Sequence, residues 1–214
     1  MFDQKSVGSY FLSFEGIEGS GKSTQIKNLE CYFQSLGFDV LVLREPGGSA
    51  FGEKLREALL TSTVALHPMA EAFCFASSRT QLLSEKVLPH LKKEKTVVIL
   101  DRYMDSSIAY QGIARGLGFE TIVKLHDYAP LNQRPDLTLY LKIDLETSQV
   151  RQKIRGNEKD YFEKENHLFY QKLIQGYDQC ALAFPERIST VDAKQDPDEV
   201  FSEIKKICQV KFKL

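Results

Sequence analysis

The octapeptide "GIEGSGKS", Gly16 to Ser23, lies between the apolar run "YFLSF" (10–14) and a helix-forming stretch, "KSTQIKNLECYF", that opens at Lys22. Its spacing, a glycine, four residues and then Gly-Lys-Ser, is that of a phosphate-binding loop joining a strand to a helix. Glycines let the backbone turn N–H groups inward around phosphate oxygens, and the helix adds the positive end of its dipole. The expected ATP-binding segment is therefore Gly16, Ile17, Glu18, Gly19, Ser20, Gly21, Lys22, Ser23 and Thr24. Lys22 is expected to reach the β and γ phosphates, and Ser23 to ligate magnesium. A glycine-rich turn can also bind nothing, but the flanking strand and helix tell against that here. The motif names a nucleotide, not a reaction.

Working outward, four more runs rich in β-branched and aromatic residues follow: "FDVLVL" (38–43), "TVVIL" (96–100), "LTLYLKI" (137–143) and "RISTV" (187–191). Each is separated from the next by enough chain for a helix, and unbroken apolarity suits strands covered on both faces. Helices are expected at about 22–36, 50–61, 68–93, 105–117, 119–129, 145–155, 163–182 and 197–209. The pattern predicts an α/β fold with a five-stranded parallel sheet surrounded by helices. No repeat or low-complexity linker interrupts it, so residues 1–214 read as a single domain.

In "LDRYMDSSIAYQG" (100–112), Asp101 closes the third strand at the edge where ligands of parallel sheets gather. It is well placed to hold magnesium through water. Arg102 follows at once, where a nucleotide hydrolase would favour a second carboxylate to orient water. A guanidinium fork there suits a phosphate that accepts. "LREPGG" puts Arg44 and Glu45 at the end of the second strand, before a turn forced by Pro46, Gly47 and Gly48. One strand-end arginine is most simply a surface salt bridge. Two beside a phosphate loop point to a monoester phosphate held in line with the ATP γ-phosphate.

Composition narrows the partners. Basic residues number 28 and acidic 29, for a net charge of -1, so no global field recruits nucleic acid or an anionic membrane. Cys31, Cys74, Cys180 and Cys208 form no C-x-x-C pair and read as small buried residues in a reducing compartment. The N-terminal stretch lacks the apolar core of a secretory signal, and nowhere do 18 apolar residues run together. A cytoplasmic location is expected. His67, His90, His126 and His167 make no metal-binding pair and read as surface or packing residues, His67 marking a helix start before Pro68. The polar stretch 151–166, "RQKIRGNEKDYFEKEN", reads on charge alone as a solvated face, or else as a mobile segment.

Taken in order, "FEGIEGSGKSTQ", "LREPGG", "FASSRTQ", "DRYMDSSIAYQG" and "RPDLTLYL" resemble the thymidylate kinases, with a looser match through "GYDQCA". The resemblance covers nearly the whole chain. It implies the P-loop nucleoside monophosphate kinase fold, a homodimer, and magnesium-dependent transfer of the γ-phosphate of ATP to dTMP, giving dTDP and ADP in dTTP synthesis. Arg44 and Arg102 then look like the residues that hold the dTMP phosphate. Phe75 looks like the ring stacked on thymine, and Arg79 like the donor to a thymine carbonyl. Tyr110 matches a residue beneath the sugar, Ser107 and Gln111 match neighbours of the base, and Glu18 an acidic residue near the 3′-hydroxyl.

Within that family a catalytic arginine sits either in the phosphate loop or in a lid. Here the loop carries Glu18, Gly19 and Ser20, so the chain resembles the lid type, with 151–166 as a mobile lid that closes to exclude water. Arg151, Lys153, Arg155 and Lys159 are the candidates, and Arg151 and Arg155 are favoured. The usual "DR" of the lid is "DY" here, with Tyr161 at the arginine position. The implied catalytic set is Lys22, Glu18, Arg102, Arg151 and Arg155, with metal held at Ser23 and Asp101. A deoxynucleoside kinase shares the loop and the strand-end acid but accepts an uncharged hydroxyl. A P-loop regulatory module would bind nucleotide without an acceptor.

Overall fold

The five apolar runs form the strands of one sheet in a computed structural model, in which residues 8–155 and 167–214 are described. These strands are β1 (Tyr10–Glu15), β2 (Asp39–Arg44), β3 (Thr96–Asp101), β4 (Leu137–Lys142) and β5 (Ile188–Asp192). Their order is β2-β3-β1-β4-β5, and every pairing is parallel. On β1 and β3, Phe11, Leu12, Phe14, Val97, Val98, Ile99 and Leu100 are all fully buried. Both faces of these central strands are covered, which is why their sequences do not alternate. Register sets Phe14 beside Asp101 and Asp101 beside Arg44. The residues that leave β1, β2 and β3 therefore share one edge.

Helices α1 (Lys22–Ser35), α2 (Ala50–Leu60), α3 (Pro68–Leu82), α4 (Leu88–Leu91), α5 (Met104–Ser107), α6 (Phe119–Leu125), α7 (Leu145–Arg155), α8 (His167–Ala183) and α9 (Pro197–Phe212) surround the sheet. Their starts follow local chemistry. Ser49 accepts from the Gly52 N–H at 3.0 Å, and Asp196 caps α9 just before Pro197. His67 starts α3 as expected, its Nδ1 accepting from the Met69 N–H at 3.2 Å.

Two helices differ in kind from the sequence reading, and α6, expected to reach about 129, stops at Leu125. The stretch expected as one helix over 68–93 is α3, a π-helical turn Leu83–Val87 and then α4. Pro89 has no N–H to give the carbonyl four residues earlier, so the ladder widens just upstream. The helix expected at 105–117 begins as α5 and opens into a second π-helical turn, Ile108–Ala114. Cys180 and Cys208 are buried as expected, whereas Cys31 is exposed and Cys74 half-buried. Among the described residues, no helix is long and apolar enough to cross a membrane.

Candidate active site

Gly16 leaves β1 with φ at 139°, and a Cβ there would lie 2.6 Å from the Leu141 carbonyl oxygen of β4. Only glycine fits that close approach. The loop then runs to Gly21 and α1, whose N-terminus has no side-chain cap and no acidic residue in its first turn. Its leading N–H groups are left for an anion, in contrast to the capped starts of α2, α3 and α9. Lys22 is buried, with Nζ 3.1 Å from the Gly16 carbonyl and 3.4 Å from that of Ile17. Burial, and then the nearby Arg102 charge, lower its pKa. Ser23 and Thr24 are exposed on the same first turn.

Asp101 ends β3 with its Oδ1 buried and without a hydrogen-bond partner among the described residues. An orphaned carboxylate oxygen beside an open phosphate loop is the donor a hard cation needs, and Ser23 offers a hydroxyl from the adjoining helix. The residues present thus fit magnesium.

Arg102 takes the left-handed backbone conformation, with φ at 69°, while its N–H still bonds Phe14 O at 3.0 Å. Its Nη1 donates to the Gly16 carbonyl and to Tyr177 Oη, each at 3.0 Å, and to Ser106 Oγ at 3.4 Å. Nη2 donates to Glu18 Oε2 at 3.3 Å. A guanidinium carries five N–H groups. Nε–H and one Nη2–H therefore remain unspent among the described contacts. Burial opposes the charge, but Tyr110, Tyr177, Glu18 and Asp101 together hold the pKa well above the ordinary value. The guanidinium also lies 5.3 Å from the centre of the Tyr110 ring.

Beneath Arg102 lies a buried chain that the sequence reading missed. Glu15 accepts from the Tyr103 N–H at 2.7 Å and from Ser106 Oγ at 2.5 Å, and Ser106 bonds Tyr177 Oη at 2.8 Å. Burial first, and then the Asp105 charge, push the Glu15 carboxyl up to about 7. Tyr177 lies in "GYDQCA", so the signal was present in the sequence but named no role.

Arg44 leaves β2 half-exposed and pairs with Glu53 at 3.0 Å. On α3, Glu71, Phe75 and Arg79 recur every four residues and so share one helix face. That face meets the helix after β3, where Arg79 Nη1 donates to Ser107 Oγ at 3.0 Å and Gln111 Nε2 donates to Glu71 Oε1 at 2.8 Å. Phe75 is half-buried between the two contacts, and Tyr110 stands edge-on to Phe169 at 6.0 Å. The structure thus brings Arg79 to Ser107, and Arg102 to Glu18 and Tyr110.

A cavity of about 360 Å³ opens beside the loop, lined by Gly19, Gly21, Thr24, Gln25, Arg151 and, from the segment after β5, Ala193, Gln195 and Pro197. Arg151 Nη1 donates to the Ala193 carbonyl at 2.9 Å and to that of Gly19 at 3.3 Å. It spans the cavity wall, so loops after β1, β4 and β5 meet there. Nothing in the local sequence of "DAKQDP" marks that wall. Residues 156–166, with Lys159 and Tyr161 of the expected lid, lie outside the described residues, as does the side chain of Arg155.

Comparison with known proteins agrees with this geometry. The thymidylate kinase family model matches residues 14–204. The chain is 43% identical to the thymidylate kinase of Thermoanaerobacter sp. (strain X514) over 194 residues, 91% of this chain and 94% of that one. It is 42% identical to the thymidylate kinase of Geobacillus thermodenitrificans (strain NG80-2) over 200 residues, 92% of this chain and 88% of that one. Among solved structures, the thymidylate kinase of Ehrlichia chaffeensis superposes with a TM-score of 0.75 at 29% identity, covering 94% of this chain and 99% of its own. A phosphate loop, a strand-end arginine with donors to spare and a family match along most of its length lead to one conclusion: the chain belongs to the thymidylate kinase family.

Proposed function

We propose that the chain transfers the γ-phosphate of ATP to the 5′-phosphate of dTMP, giving ADP and dTDP for dTTP synthesis, the reaction of its family. The observation that carries this reading is Arg102, which holds two unspent N–H donors at the sheet edge beside the uncapped start of α1. One anion on the helix N-terminus and a second on the guanidinium fork make a donor and an acceptor.

The ATP phosphates lie along Gly16 to Thr24, and its nucleoside enters the cavity walled by Arg151. Lys22 neutralises charge on the β and γ phosphates. Arg44 and Arg102 hold the acceptor phosphate so that one of its oxygens attacks the γ-phosphorus as the bond to the β-bridging oxygen breaks. The acceptor is already anionic, so no protein base or nucleophile is required. Ser23 and Asp101 would hold magnesium, which when bound supplies charge neutralisation to the phosphates. Glu18 orients the sugar side of the acceptor, Phe75 stacks on the base, Arg79, Ser107 and Gln111 address its polar edge, and Tyr110 underlies the sugar. Arg155 is assigned to the transferring phosphoryl group, because the Arg151 guanidinium is engaged on carbonyls of the cavity wall.

Half-exposed Phe51 on α2 and Phe73 on α3 support a homodimer through this helix pair. Action in the cytoplasm accords with the role in nucleotide synthesis. A coupled assay of ADP release with dTMP, dUMP, dCMP and thymidine tests the reading. Strong preference for dTMP is expected. A preference for thymidine would instead mark a nucleoside kinase, and hydrolysis blind to every acceptor a regulatory module.

A further inference from the structure

We propose that His126, which closes α6, is a positioning residue for base recognition: it accepts a hydrogen bond from Arg79 and so aims the guanidinium that reads the pyrimidine. The inference rests on the reading of Arg79 as the residue that addresses the base.

Arg79 is only 1% exposed, and its partners can be counted. Nε donates to Glu45 Oε2 at 2.7 Å, and Nη2 lies 2.5 Å from the same oxygen. Nη1 is 3.0 Å from Ser107 Oγ and 2.5 Å from His126 Nε2. A guanidinium has no lone pair to offer, so His126 Nε2 must be the acceptor. The other ring nitrogen fixes the tautomer that allows this. Nδ1 lies 2.8 Å from the Ile122 carbonyl oxygen, which can only accept, so Nδ1 carries the hydrogen and Nε2 keeps its lone pair.

Four of the five N–H groups are then committed, and one Nη2–H is left. Because the guanidinium is planar and rigid, pinning three nitrogens fixes the direction of the last donor. The Tyr103 ring, 4.9 Å from the guanidinium carbon, holds the same plane. A lone aimed donor accepts a base that presents a ring carbonyl, as thymine does. It opposes one that presents an amino group in that place, as cytosine does. Without the imidazole, a buried N–H loses its acceptor and the fork is free to turn toward another, which costs both affinity and selectivity.

Steady-state kinetics of His126→Gln and His126→Met test this, since both side chains match the imidazole in reach, and glutamine offers a strong acceptor where the methionine sulfur is only a weak one. His126→Met is expected to raise KM for dTMP by about tenfold and to narrow the preference for dTMP over dCMP by a similar factor. KM for ATP should stay within about twofold, and His126→Gln should recover most of the loss. Equal losses in the two variants, or a parallel rise in KM for ATP, would mean a structural role and overturn the proposal. In the wild-type protein, ¹⁵N NMR should find the Nδ1–H tautomer, and the Nε2–H form would also overturn it, whether or not the methionine variant folds. Arg79→Met separates this inference from the reading beneath it. If it leaves KM for dTMP unchanged, the base-reading role of Arg79 is wrong. If it raises KM while His126→Met does not, only the role of His126 falls.

Discussion

Lys22 keeps its ammonium buried against two loop carbonyls, a position that costs solvation and makes sense only with an anion to receive. Lys22→Ala is expected to lower turnover by roughly 10² to 10³, the usual loss when one charge-stabilising donor is removed from a preorganised site. A purified variant with unchanged kcat in the coupled assay would refute that role. His126 carries a pH signature. Burial first, and then the Arg79 charge, push it from 6.5 down to about 3, with Arg134 and Arg187 adding to the effect. The unfolded chain regains the ordinary value, so between these limits it binds the extra proton, and stability falls as pH drops from about 6.5 toward 3. Glu15 works in the opposite sense. Its carboxyl is raised from 4.5 to about 7, so its contribution weakens as pH rises through that window. The Glu15 effect is common to wild type and His126→Gln, so thermal melts of the two from pH 7 to 4.5 isolate the histidine. The wild type should lose more, and equal losses would count against a neutral buried imidazole. None of this was visible at residue 126 itself. A lone histidine reads as packing, and its partner stands 47 residues away on another helix.

At the scale of elements, α8 and the π-helical turn after α5 approach each other closely. A Cβ placed on Gly176 would lie 2.7 Å from the Ala109 Cα and 3.0 Å from its Cβ, with the helix backbone leaving no room to yield. Gly176→Ala is expected to cost about 1–3 kcal/mol, as overpacking in a close-packed interior does. It would also raise KM for dTMP, because Tyr177 is the next residue and holds Arg102. A variant that keeps both its melting temperature and its dTMP affinity would show that the helices can part freely. Elements were legible where local chemistry decides them. All five strands fall within one or two residues of the apolar runs; in β1, β3 and β4 burial on both faces leaves a signal in nearly every residue, while the edge strands β2 and β5 are only partly buried and are marked by their β-branched and aliphatic residues. The π-helical turns were not legible. The second, Ile108–Ala114, includes Gly112, whose Cβ position is 3.3 Å from the Gly118 carbonyl oxygen, and the Arg115 N–H bonds five residues back to Tyr110. The first is a contact with the turn that leads into α6 and the second is the five-residue bond of the π-helix itself, and a 3.6-residue periodicity reveals neither. The phosphate loop needs only its own eight residues, whereas the cavity wall at Ala193 exists only once β5 lies beside β4.

At the scale of the whole molecule, two features remain: what covers α2 and α3, and how the chain is threaded. Phe51 is 49% and Phe73 55% exposed on this helix pair, far from the core positions such rings usually fill. Sedimentation of the wild type is expected to show a dimer at micromolar concentration, and Phe51→Asp with Phe73→Asp to give a folded monomer. Unchanged mass in the double variant would move the contact elsewhere. Because all five strands point the same way, the segments proposed to touch a nucleotide follow from one rim of the sheet, and the chain re-enters from the other. The exposed turn at Glu94, just before β3, belongs to the returning rim. A fluorescent reporter spliced in there would ride on the quiet side of the enzyme and leave the chemistry running, a tolerance that follows from the direction of the threads and from nothing else.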